Sequence, residues 1–339
     1  MNQVLRADDA MARAIECAGY GLGKTFPNPI VGAVITSAKG EFISEGFHQG
    51  AEHAEVLAIK DAKKVLAGSI LYITLEPCNH HGKTPPCVDA IIESGIKKVV
   101  YAVSDPNPVA AGGSERLRGA GIEVISGIGQ IQAIHENRAW LTKIEKGRPR
   151  ITWKIASTMD GKVTAADGSS KWITGELARA DVAKIRAQTD AIVTSTATVI
   201  ADDPLLTSKG LGNNPVRIVM GLTDIDSNSQ ILGTDAETVL IKSHDFKELI
   251  SLATDRGFNQ LLIESGPTLG TALLREDLID EIILFQAPTL LGAGKPSIGD
   301  LGISNISGRL DFEITDVEVI GADLKITLVK SAKSTESGR

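Results

Sequence analysis

The chain has 339 residues, of which 42% are hydrophobic and 23% charged, and its formal net charge at pH 7 is −7. That length favours two domains. The acidic balance and an aromatic content of only 4% argue against a protein that grips nucleic acid by its phosphates or stacks single-stranded bases. Three cysteines suit a reducing compartment, and the charged first twenty residues contain no apolar run for a signal peptide or a membrane span. We therefore expect a cytoplasmic enzyme.

The first half of the chain alternates helical and strand patterns. Helices are predicted over residues 7–21 and 53–66, from Cys87, from Ser114, and in a final segment that ends near residue 144. Strands are predicted over residues 30–36, 41–46, 70–75, 98–102 and 122–126. This alternation predicts a three-layer αβα sandwich in which helices cover a sheet.

A charged segment with both helix breakers, Lys146-Gly147-Arg148-Pro149-Arg150, marks the predicted domain boundary. We expect domains over residues 1–146 and 150–330, and a flexible tail over residues 331–339. The second half begins with a strand over residues 151–156, continues with a helix over 177–188, and has strands near residues 191, 216, 239 and 261. Two long β patterns, 312–320 and 324–329, close it. This order predicts a mostly parallel sheet with antiparallel edge strands.

The segment from His53 to Cys87 carries the clearest chemistry. Two thiols and one imidazole, from Cys78, Cys87 and His53, can hold a zinc ion and leave its fourth position open for water. Glu55, two residues after the histidine, is the acid/base that such a water needs. A lone His or Cys is more often a core residue, but this combination has the pattern of the zinc deaminases. It predicts hydrolytic removal of an amino group from a nucleobase-like ring.

The spacing constrains how these side chains can meet. Residues two apart on a helix point in nearly opposite directions, so His53 must lie at or before the first turn if Glu55 is to face the same metal. Cys78 follows a predicted strand, and Cys87 opens a helix, where the dipole favours a thiolate.

The second half has no metal pattern and no G-x-G-x-x-G. The run Ile263-Glu264-Ser265-Gly266-Pro267-Thr268-Leu269-Gly270 reads as a strand end, a tight turn and a helix start, whose free N–H groups would suit a pyrophosphate. An added Cβ at Gly266 is expected to disturb that turn. An ordinary βα turn remains the alternative, and the residues alone indicate no more than a possible nucleotide site.

Several motifs resemble those of the bifunctional deaminase/reductase family of riboflavin biosynthesis. In the first half they are Pro27-Asn28-Pro29-Ile30-Val31-Gly32, His53-Ala54-Glu55, Thr74-Leu75-Glu76-Pro77-Cys78, Gly82-Lys83-Thr84-Pro85-Pro86-Cys87 and Asp105-Pro106-Asn107-Pro108. In the second half they are Trp172-Ile173-Thr174-Gly175, Arg186-Ala187, Ala201-Asp202-Asp203-Pro204 and Glu264-Ser265-Gly266. The wide cysteine spacing fits this branch of the zinc deaminases and not the RNA-editing branch.

The resemblance implies two consecutive reactions and two cofactors. The first domain, of cytidine-deaminase-like fold, would use zinc to deaminate 2,5-diamino-6-ribosylamino-4(3H)-pyrimidinone 5′-phosphate. The second, of dihydrofolate-reductase-like fold, would use NADPH to reduce the ribosyl side chain, giving 5-amino-6-ribitylamino-uracil 5′-phosphate. The expected partner is this small-molecule ribotide, with no nucleic acid and no membrane, and the protein is expected to be a homo-oligomer, either a dimer or a tetramer.

The resemblance also implies the site residues. In the first domain the zinc ligands would be His53, Cys78 and Cys87, the catalytic proton shuttle Glu55, and the substrate-binding residues Asn28, His80, Lys83 and Thr84. In the second domain the cofactor would contact Ser157, Trp172, Thr198, Asp202, Gly266, Pro267, Thr268, Leu269, Gly270, Thr271 and Ala272. The substrate would contact Ser170, Arg186, Leu206, Lys209 and Glu264, with the phosphate bound by Arg186 and Lys209.

Two positions depart from the usual family pattern, because Lys83 and Lys209 stand where Arg is typical. Met220-Gly221-Leu222 also replaces the usual polar strand end, so contacts from that strand end are in doubt.

Two other functions stay open. One is a nucleic-acid base deaminase with an accessory binding domain, which the composition disfavours. The other is a structural zinc domain joined to a small-molecule sensor, in which His80 or His81 closes the fourth zinc position.

Overall fold

The structure, a computed structural model, describes residues 3–62, 66–82 and 84–331. The chain divides into two compact units, Met1–Gly147 and Arg148–Arg339, referred to below as the first and the second unit. The division falls inside the charged segment with both helix breakers. Of the tail expected over residues 331–339, only Ser331 is described, and it is buried and bonded to Asp311 and Glu313 instead of flexible.

The first unit contains a five-stranded sheet of order β2-β1-β3-β4-β5. Strand β1 pairs antiparallel with β2 and β3, whereas β3, β4 and β5 run parallel. The strands are β1 (Gly32–Thr36), β2 (Phe42–Phe47), β3 (Ile70–Leu75), β4 (Lys98–Val103) and β5 (Glu123–Ser126). The helices are α1 (Ala7–Gly19), α2 (Ala54–Asp61), α3 (Cys87–Ser94), α4 (Gly113–Gly119), α5 (Gln130–Glu136) and α6 (Arg138–Lys146).

Helices cover both faces of this sheet. Successive strand residues point to opposite faces, so Ile35 and Val34 enter different cores. One core joins the strands to residues of α2, α3, α4 and α6, including Ala58, Val88, Leu117 and Trp140. The other joins them to residues of α1 and α5, including Ala10, Ala14 and Ala133. The predicted three-layer arrangement is therefore confirmed.

The last predicted helix of this unit is in fact two helices. Helix α5 ends at Glu136, and α6 begins at Arg138, with Asn137 between them at φ −90° and ψ 10°. Asn137 is buried, and its carboxamide bonds to the backbone of Ile30 instead of facing solvent. A side chain that competes for backbone partners favours a helix end at this position.

The second unit contains an eight-stranded sheet of order β12-β13-β11-β6-β10-β7-β8-β9. Its strands are β6 (Arg150–Thr158), β7 (Ala191–Ser195), β8 (Val216–Met220), β9 (Thr238–Ile241), β10 (Gln260–Ile263), β11 (Glu281–Ala287), β12 (Phe312–Ile320) and β13 (Asp323–Lys330). Its helices are α7 (Glu176–Ala187), α8 (Thr196–Asp202), α9 (Phe246–Asp255) and α10 (Pro267–Arg275). Strands β6 to β11 are parallel, and β12 and β13 form an antiparallel edge, as predicted.

The sequence interpretation did not predict β11, α8 or α9. Strand β11 begins with Glu281, which is fully buried and bonded to Arg150 and Thr152 of the neighbouring strand β6. A charged residue at a strand start normally indicates a turn, and only the partner on another strand makes its burial possible.

Glycine allows α10 to approach the sheet closely. A Cβ added to Gly270 would lie 2.1 Å from ring atoms of Trp153, which is 1% exposed on β6. No helix in the described part of the chain is both long and apolar enough to cross a membrane.

Candidate active sites

Three side chains of the first unit converge on one point. His53 Nδ1 lies 3.1 Å from Cys87 Sγ and 3.6 Å from Cys78 Sγ, and the three ligand atoms all lie within 4.8 Å of one another. Donors at about 2.0–2.3 Å from a tetrahedral zinc ion lie roughly 3.3–3.8 Å apart, so this group fits zinc. Among the described residues no further His, Cys, Asp or Glu joins it. His80 and His81, which would close a structural site, are not part of the group.

Element ends bring these ligands together. His53 is the N-cap of α2, with extended backbone angles of φ −80° and ψ 155°, so it lies just before the first turn as predicted. Cys78 follows the end of β3, and Cys87 is the first residue of α3. The backbone N–H of Cys87 donates to Cys78 Sγ over 3.4 Å. A donor at a helix start stabilises a thiolate.

The two thiols have very different pKa values. The hydrogen bond between their sulfurs is the largest cause of both shifts: it lowers the pKa of Cys78 to about 4 and raises the pKa of Cys87. Cys78 therefore carries negative charge, which soft cations such as zinc require of a thiol ligand. Metal binding would release the remaining proton from Cys87.

Glu55 lies in the first turn of α2 beside this group and is 4% exposed. Burial raises the pKa of Glu55 to about 7, and the nearby charge of Cys78 adds to the increase. A carboxyl group that titrates near neutral pH can both take and return a proton. Its environment therefore has the property that the predicted shuttle requires.

Glu76 fixes the segment that carries Cys78. Its Oε1 accepts the backbone N–H of Ser114 over 2.9 Å, and its Oε2 accepts that of Asp105 over 3.4 Å. A Cβ added to Gly113 would lie 1.8 Å from the Pro77 carbonyl oxygen, so this segment also packs directly on the start of α4. The geometry of Cys78 thus depends on α4 as well as on β3.

His48, a residue that the sequence interpretation missed, lies between Asn28 and the metal group. Asn28 Nδ2 is 3.4 Å from Nε2 of His48, whose ring centroid lies 5.2 Å from that of His53. Burial, and secondarily the charge of His53, lowers the pKa of His48 to about 4. An amide nitrogen can only donate, so the neutral imidazole accepts at Nε2.

The other predicted pyrimidine-binding residues lie on the loop between the two cysteines. His80 is half-buried, and its Nδ1 has no hydrogen-bond partner among the described residues. Thr84 is half-buried, and its carbonyl accepts the N–H of Gly82 over 3.2 Å. Lys83 lies outside the described residues.

In the second unit several of the predicted residues lie together at the carboxyl ends of neighbouring strands. Ser157 is near the end of β6, Glu264 directly follows β10, and Thr198 lies on α8, which directly follows β7. These three strands are parallel neighbours, so their carboxyl ends meet at the same edge, which is where open α/β sheets bind ligands.

A buried ion cluster lies at this edge. Arg186 Nε and Nη2 donate to the two carboxylate oxygens of Glu264 over 2.6 and 2.9 Å. Lys154 Nζ lies 3.9 Å from Glu264 Oε2. Burial lowers the pKa of Lys154, and the charge of Arg186 lowers it further, against the opposing effect of Glu264. The sequence interpretation missed Lys154, because β6 also contains Arg150 and Thr152, so this lysine does not stand out within the strand.

The start of α10 offers backbone donors to an anion. Gly266 is the N-cap and Pro267 the first helical residue. The N–H of Gly266 already donates to Thr198 Oγ1 over 3.3 Å, and proline has no N–H, so the helix-start donors left for an anion are those of Thr268 and Leu269. These residues fit a dinucleotide phosphate.

The expectation that an added Cβ at Gly266 would disturb the turn is wrong. Gly266 has φ −62° and ψ 172°, which any residue adopts, and an added Cβ would meet no atom within 4 Å. Gly270 is the residue of this stretch that needs to be glycine. Thr271 is buried, and its Oγ1 accepts the N–H of Gly299, so it fixes a neighbouring loop.

Trp172 is 69% exposed, and the guanidinium carbon of Arg179 lies 4.6 Å from its ring centroid. Its neighbour Lys171 donates from Nζ to the carbonyl of Asp202 over 2.9 Å, which joins the segment after β6 to the end of α8. This bond links the segment that carries Trp172 to the helix end that carries Asp202.

The remaining predicted substrate residues belong to loops of the second unit. Ser170 precedes the Lys171-Trp172 segment. Leu206 is 5% exposed at φ 50°, and Lys209 is exposed at φ 53°. The carbonyl of Thr207, between them, accepts from Arg186 Nη1 over 3.2 Å, which places this loop beside the ion cluster.

Gly221, at the departure from the family pattern, has φ 142°, and an added Cβ would lie 2.3 Å from Thr196 Oγ1. The start of α8 therefore packs against the end of β8, where a polar side chain would not fit.

Two family models match the chain. The model described as the cytidine and deoxycytidylate deaminase zinc-binding region matches residues 6–103. The model described as the RibD C-terminal domain matches residues 149–326. The first match contains the zinc-fitting group, and the second contains the ion cluster and the start of α10.

Curated proteins match over nearly the whole chain. The riboflavin biosynthesis protein RibD of Mycobacterium tuberculosis is 43% identical over 337 residues, which cover 97% of this chain and 99% of that protein. The protein of the same name from Escherichia coli K12 is 37% identical over 365 residues, which cover 94% and 98%.

Solved structures of proteins from the same family superpose on nearly the whole chain. A diaminohydroxyphosphoribosylaminopyrimidine deaminase/5-amino-6-(5-phosphoribosylamino)uracil reductase from Thermotoga maritima superposes with a TM-score of 0.90 at 34% identity, covering 96% of this chain and 99% of that one. Acinetobacter baumannii RibD superposes with a TM-score of 0.87 at 37% identity, with the same coverage. The chain therefore belongs to the RibD family of bifunctional riboflavin biosynthesis enzymes, with a zinc-dependent deaminase domain followed by an NADPH-dependent reductase domain.

Proposed function

We propose that the first unit deaminates 2,5-diamino-6-ribosylamino-4(3H)-pyrimidinone 5′-phosphate and that the second unit reduces the ribosyl group of its product. The observation that carries the proposal is the presence of two separate sites, one with a zinc-fitting group beside a buried carboxyl and one with helix-start donors beside a buried ion cluster. The near full-length match to two-domain relatives supports the assignment of both reactions to one chain.

In the deaminase site His53, Cys78 and Cys87 would hold the metal. A zinc ion there would act as a Lewis acid and lower the pKa of a water molecule to about 7. Glu55 would take the proton from the attacking water and deliver it to the departing amino group. Asn28 is assigned to the pyrimidine edge, because its carboxamide has an acceptor oxygen and, besides the N–H directed at His48, a second N–H donor. His80, Lys83 and Thr84 are assigned to the pyrimidine and the ribose phosphate.

In the reductase site the start of α10 would bind the dinucleotide phosphates through the N–H groups of Thr268 and Leu269. NADPH would supply the hydride, and Thr198, Asp202, Trp172 and Ser157 would border it.

The substrate side of the reductase site is the ion cluster. Glu264 accepts hydrogen bonds from the ribosyl hydroxyls. Arg186, which the resemblance assigned to the phosphate, instead holds the Glu264 carboxylate in place with two hydrogen bonds. Lys154 offers a further donor, whose Nζ lies 3.9 Å from Glu264 Oε2. Lys209, with Ser170 and Leu206, is assigned to the remaining substrate contacts, and its charge suits the phosphate.

One experiment tests both activities. The full chain is incubated with the diaminopyrimidinone ribotide, with and without NADPH, and the products are identified by mass spectrometry and ammonia release. We expect the deaminated ribosyl compound without NADPH and the ribityl compound with it. Parallel incubations with cytidine and single-stranded DNA should release no ammonia. Ammonia from DNA and none from the ribotide would overturn the proposal in favour of a nucleic-acid deaminase.

We also propose that the protein is a homo-oligomer that pairs through β12. This nine-residue strand lies at the edge of the sheet, and among the described residues its one partner strand is β13. Its apolar residues Ile314, Val317 and Val319 are 64%, 54% and 75% exposed. A long edge strand that exposes several apolar side chains can pair with another copy, and two identical strands can pair antiparallel about a two-fold axis. The three cysteines, two of them metal ligands, support a reducing location such as the cytoplasm.

A further inference from the structure

Two residues outside the metal group hold the loop that carries Asn28. The segment from Thr25 to Ile30 precedes β1 and has no regular secondary structure. Within it the N–H of Asn28 donates to the Thr25 carbonyl over 2.9 Å, and Thr25 Oγ1 donates to the Asn28 carbonyl over 3.3 Å. These bonds shape the loop but do not attach it to the rest of the unit.

Asn137 provides one attachment, from the break between α5 and α6. Its Oδ1 accepts the N–H of Ile30 over 3.0 Å, and its Nδ2 donates to the carbonyl of Ile30 over 2.6 Å. The side chain therefore pairs with Ile30 as a neighbouring strand would. Asn137 is 7% exposed, so both bonds are shielded from water, and removing either partner leaves a buried backbone group unsatisfied.

His48, directly after β2, provides the second attachment. Its N–H donates to the carbonyl of Val31 over 2.8 Å, and its Nε2 lies 3.4 Å from Asn28 Nδ2. His48 is 4% exposed, so it is held in place by packing. Since Nε2 accepts from the amide nitrogen, the bond fixes which end of the Asn28 carboxamide faces away from His48.

We infer that Asn137 and His48 are positioning residues of the deaminase reaction, which fix the Asn28 carboxamide for recognition of the pyrimidine ring. The inference rests on the proposed function, because it requires Asn28 to contact the substrate. Neither residue is a metal ligand, and neither is assigned to the proton transfer. A recognition group that is displaced by about 1 Å can cost up to about a hundredfold in kcat/KM, so the hold on this loop matters to the reaction.

The test uses full-length variants Asn137→Asp, His48→Leu and Asn28→Ala, with the diaminopyrimidinone ribotide as the substrate. Asn137→Asp keeps an acceptor for the Ile30 N–H but turns a carboxylate oxygen toward the Ile30 carbonyl. His48→Leu keeps the bulk and removes the acceptor. Each should raise the deaminase KM about tenfold, as expected for the loss of roughly one hydrogen bond, with kcat changed less than threefold. Zinc content and reductase kinetics on the deaminated substrate should match the parent.

Double variants separate positioning from general structure. If Asn137 and His48 act through Asn28, then Asn137→Asp and His48→Leu should add little to the KM of Asn28→Ala. A full further tenfold increase in that background would overturn the inference. An increase in KM for Asn28→Ala with parental KM for both other variants would also overturn it, while the proposed function stands. A parental KM for Asn28→Ala would instead remove Asn28 from the substrate site, and the inference with it.

Discussion

Arg186 of α7 and Glu264 after β10 form a buried two-bond ion pair, although 78 positions separate them in the chain. Burial alone would raise the pKa of Glu264, but the charge and hydrogen bonds of Arg186, together with Lys154, outweigh it and lower the pKa below its usual value of 4.5. Glu264 therefore stays ionised at neutral pH, and it remains so as the pH falls below that usual value. Protonation and loss of the pair occur only as the pH falls through the lowered pKa.

Arg186→Met should move the acid limb of the reductase to higher pH. Without the guanidinium, burial dominates, so the pKa of Glu264 rises and the carboxylate is lost at a less acidic pH. The measurement is reductase kcat/KM from pH 4 to 8. Lys184→Met, which removes an exposed cation from the same helix, is the matched control and should keep the parental profile. An acid limb that coincides with the parent in Arg186→Met would show that Glu264 does not control this step.

Glu55→Gln should abolish most deamination and leave zinc bound. The amide cannot carry the proton from water to the amino group, and general acid/base groups typically contribute about 10²–10⁴-fold. Ammonia release from the ribotide measures the loss, and elemental analysis measures zinc. The control is Glu52→Gln, because Glu52 is a nearby acid whose side chain is 46% exposed and paired with Lys60. Parental ammonia release by Glu55→Gln would remove Glu55 from the mechanism.

Cys87→Ala should lose zinc and deamination together. Parent protein should contain one zinc per chain, measured by elemental analysis after dialysis. Cys17→Ala should keep zinc, because burial raises the pKa of Cys17 to about 12 and this thiol lies outside the metal group. Reduction of the deaminated substrate should continue in both variants. Full deamination by zinc-free protein would contradict the metal assignment.

Gly266→Asp should weaken NADPH binding, whereas Gly266→Ala should not. The site tolerates a Cβ, since no atom lies within 4 Å of it, so the two variants differ in charge beside the phosphates. We expect the aspartate to raise the NADPH KM about tenfold, a loss of about 1.4 kcal/mol. The alanine variant should stay within about twofold. Equal KM values for the two variants would place the dinucleotide phosphates away from the start of α10.

Val317→Lys should break the oligomer that we propose to form through β12. A lysine on an edge strand opposes pairing with a second copy. Sedimentation velocity should show the parent as a dimer or larger and the variant as a smaller species. Val4→Lys replaces a valine that is 66% exposed on the first unit and should sediment like the parent. A parental species that sediments as a monomer would refute the interface.

The sequence predicted the zinc group because its geometry is local. A helix start at His53, a strand end before Cys78 and a helix start at Cys87 can all be deduced from nearby residues. The contacts that the sequence did not predict are distant ones. Asn137 bonds to a residue 107 positions earlier, and its role shows only in the folded unit. The same holds for Lys154, which became visible as a site residue only through its position beside Glu264.

The contact between Gly270 and Trp153 limits how this protein can be redesigned. The indole ring acts as a spacer that sets how far α10 lies from the sheet, and hence where the donors of Thr268 and Leu269 are presented. A larger residue at position 270 would need a smaller one at position 153 in the same gene. Efforts to change the cofactor preference of the second unit should therefore substitute positions 153 and 270 together.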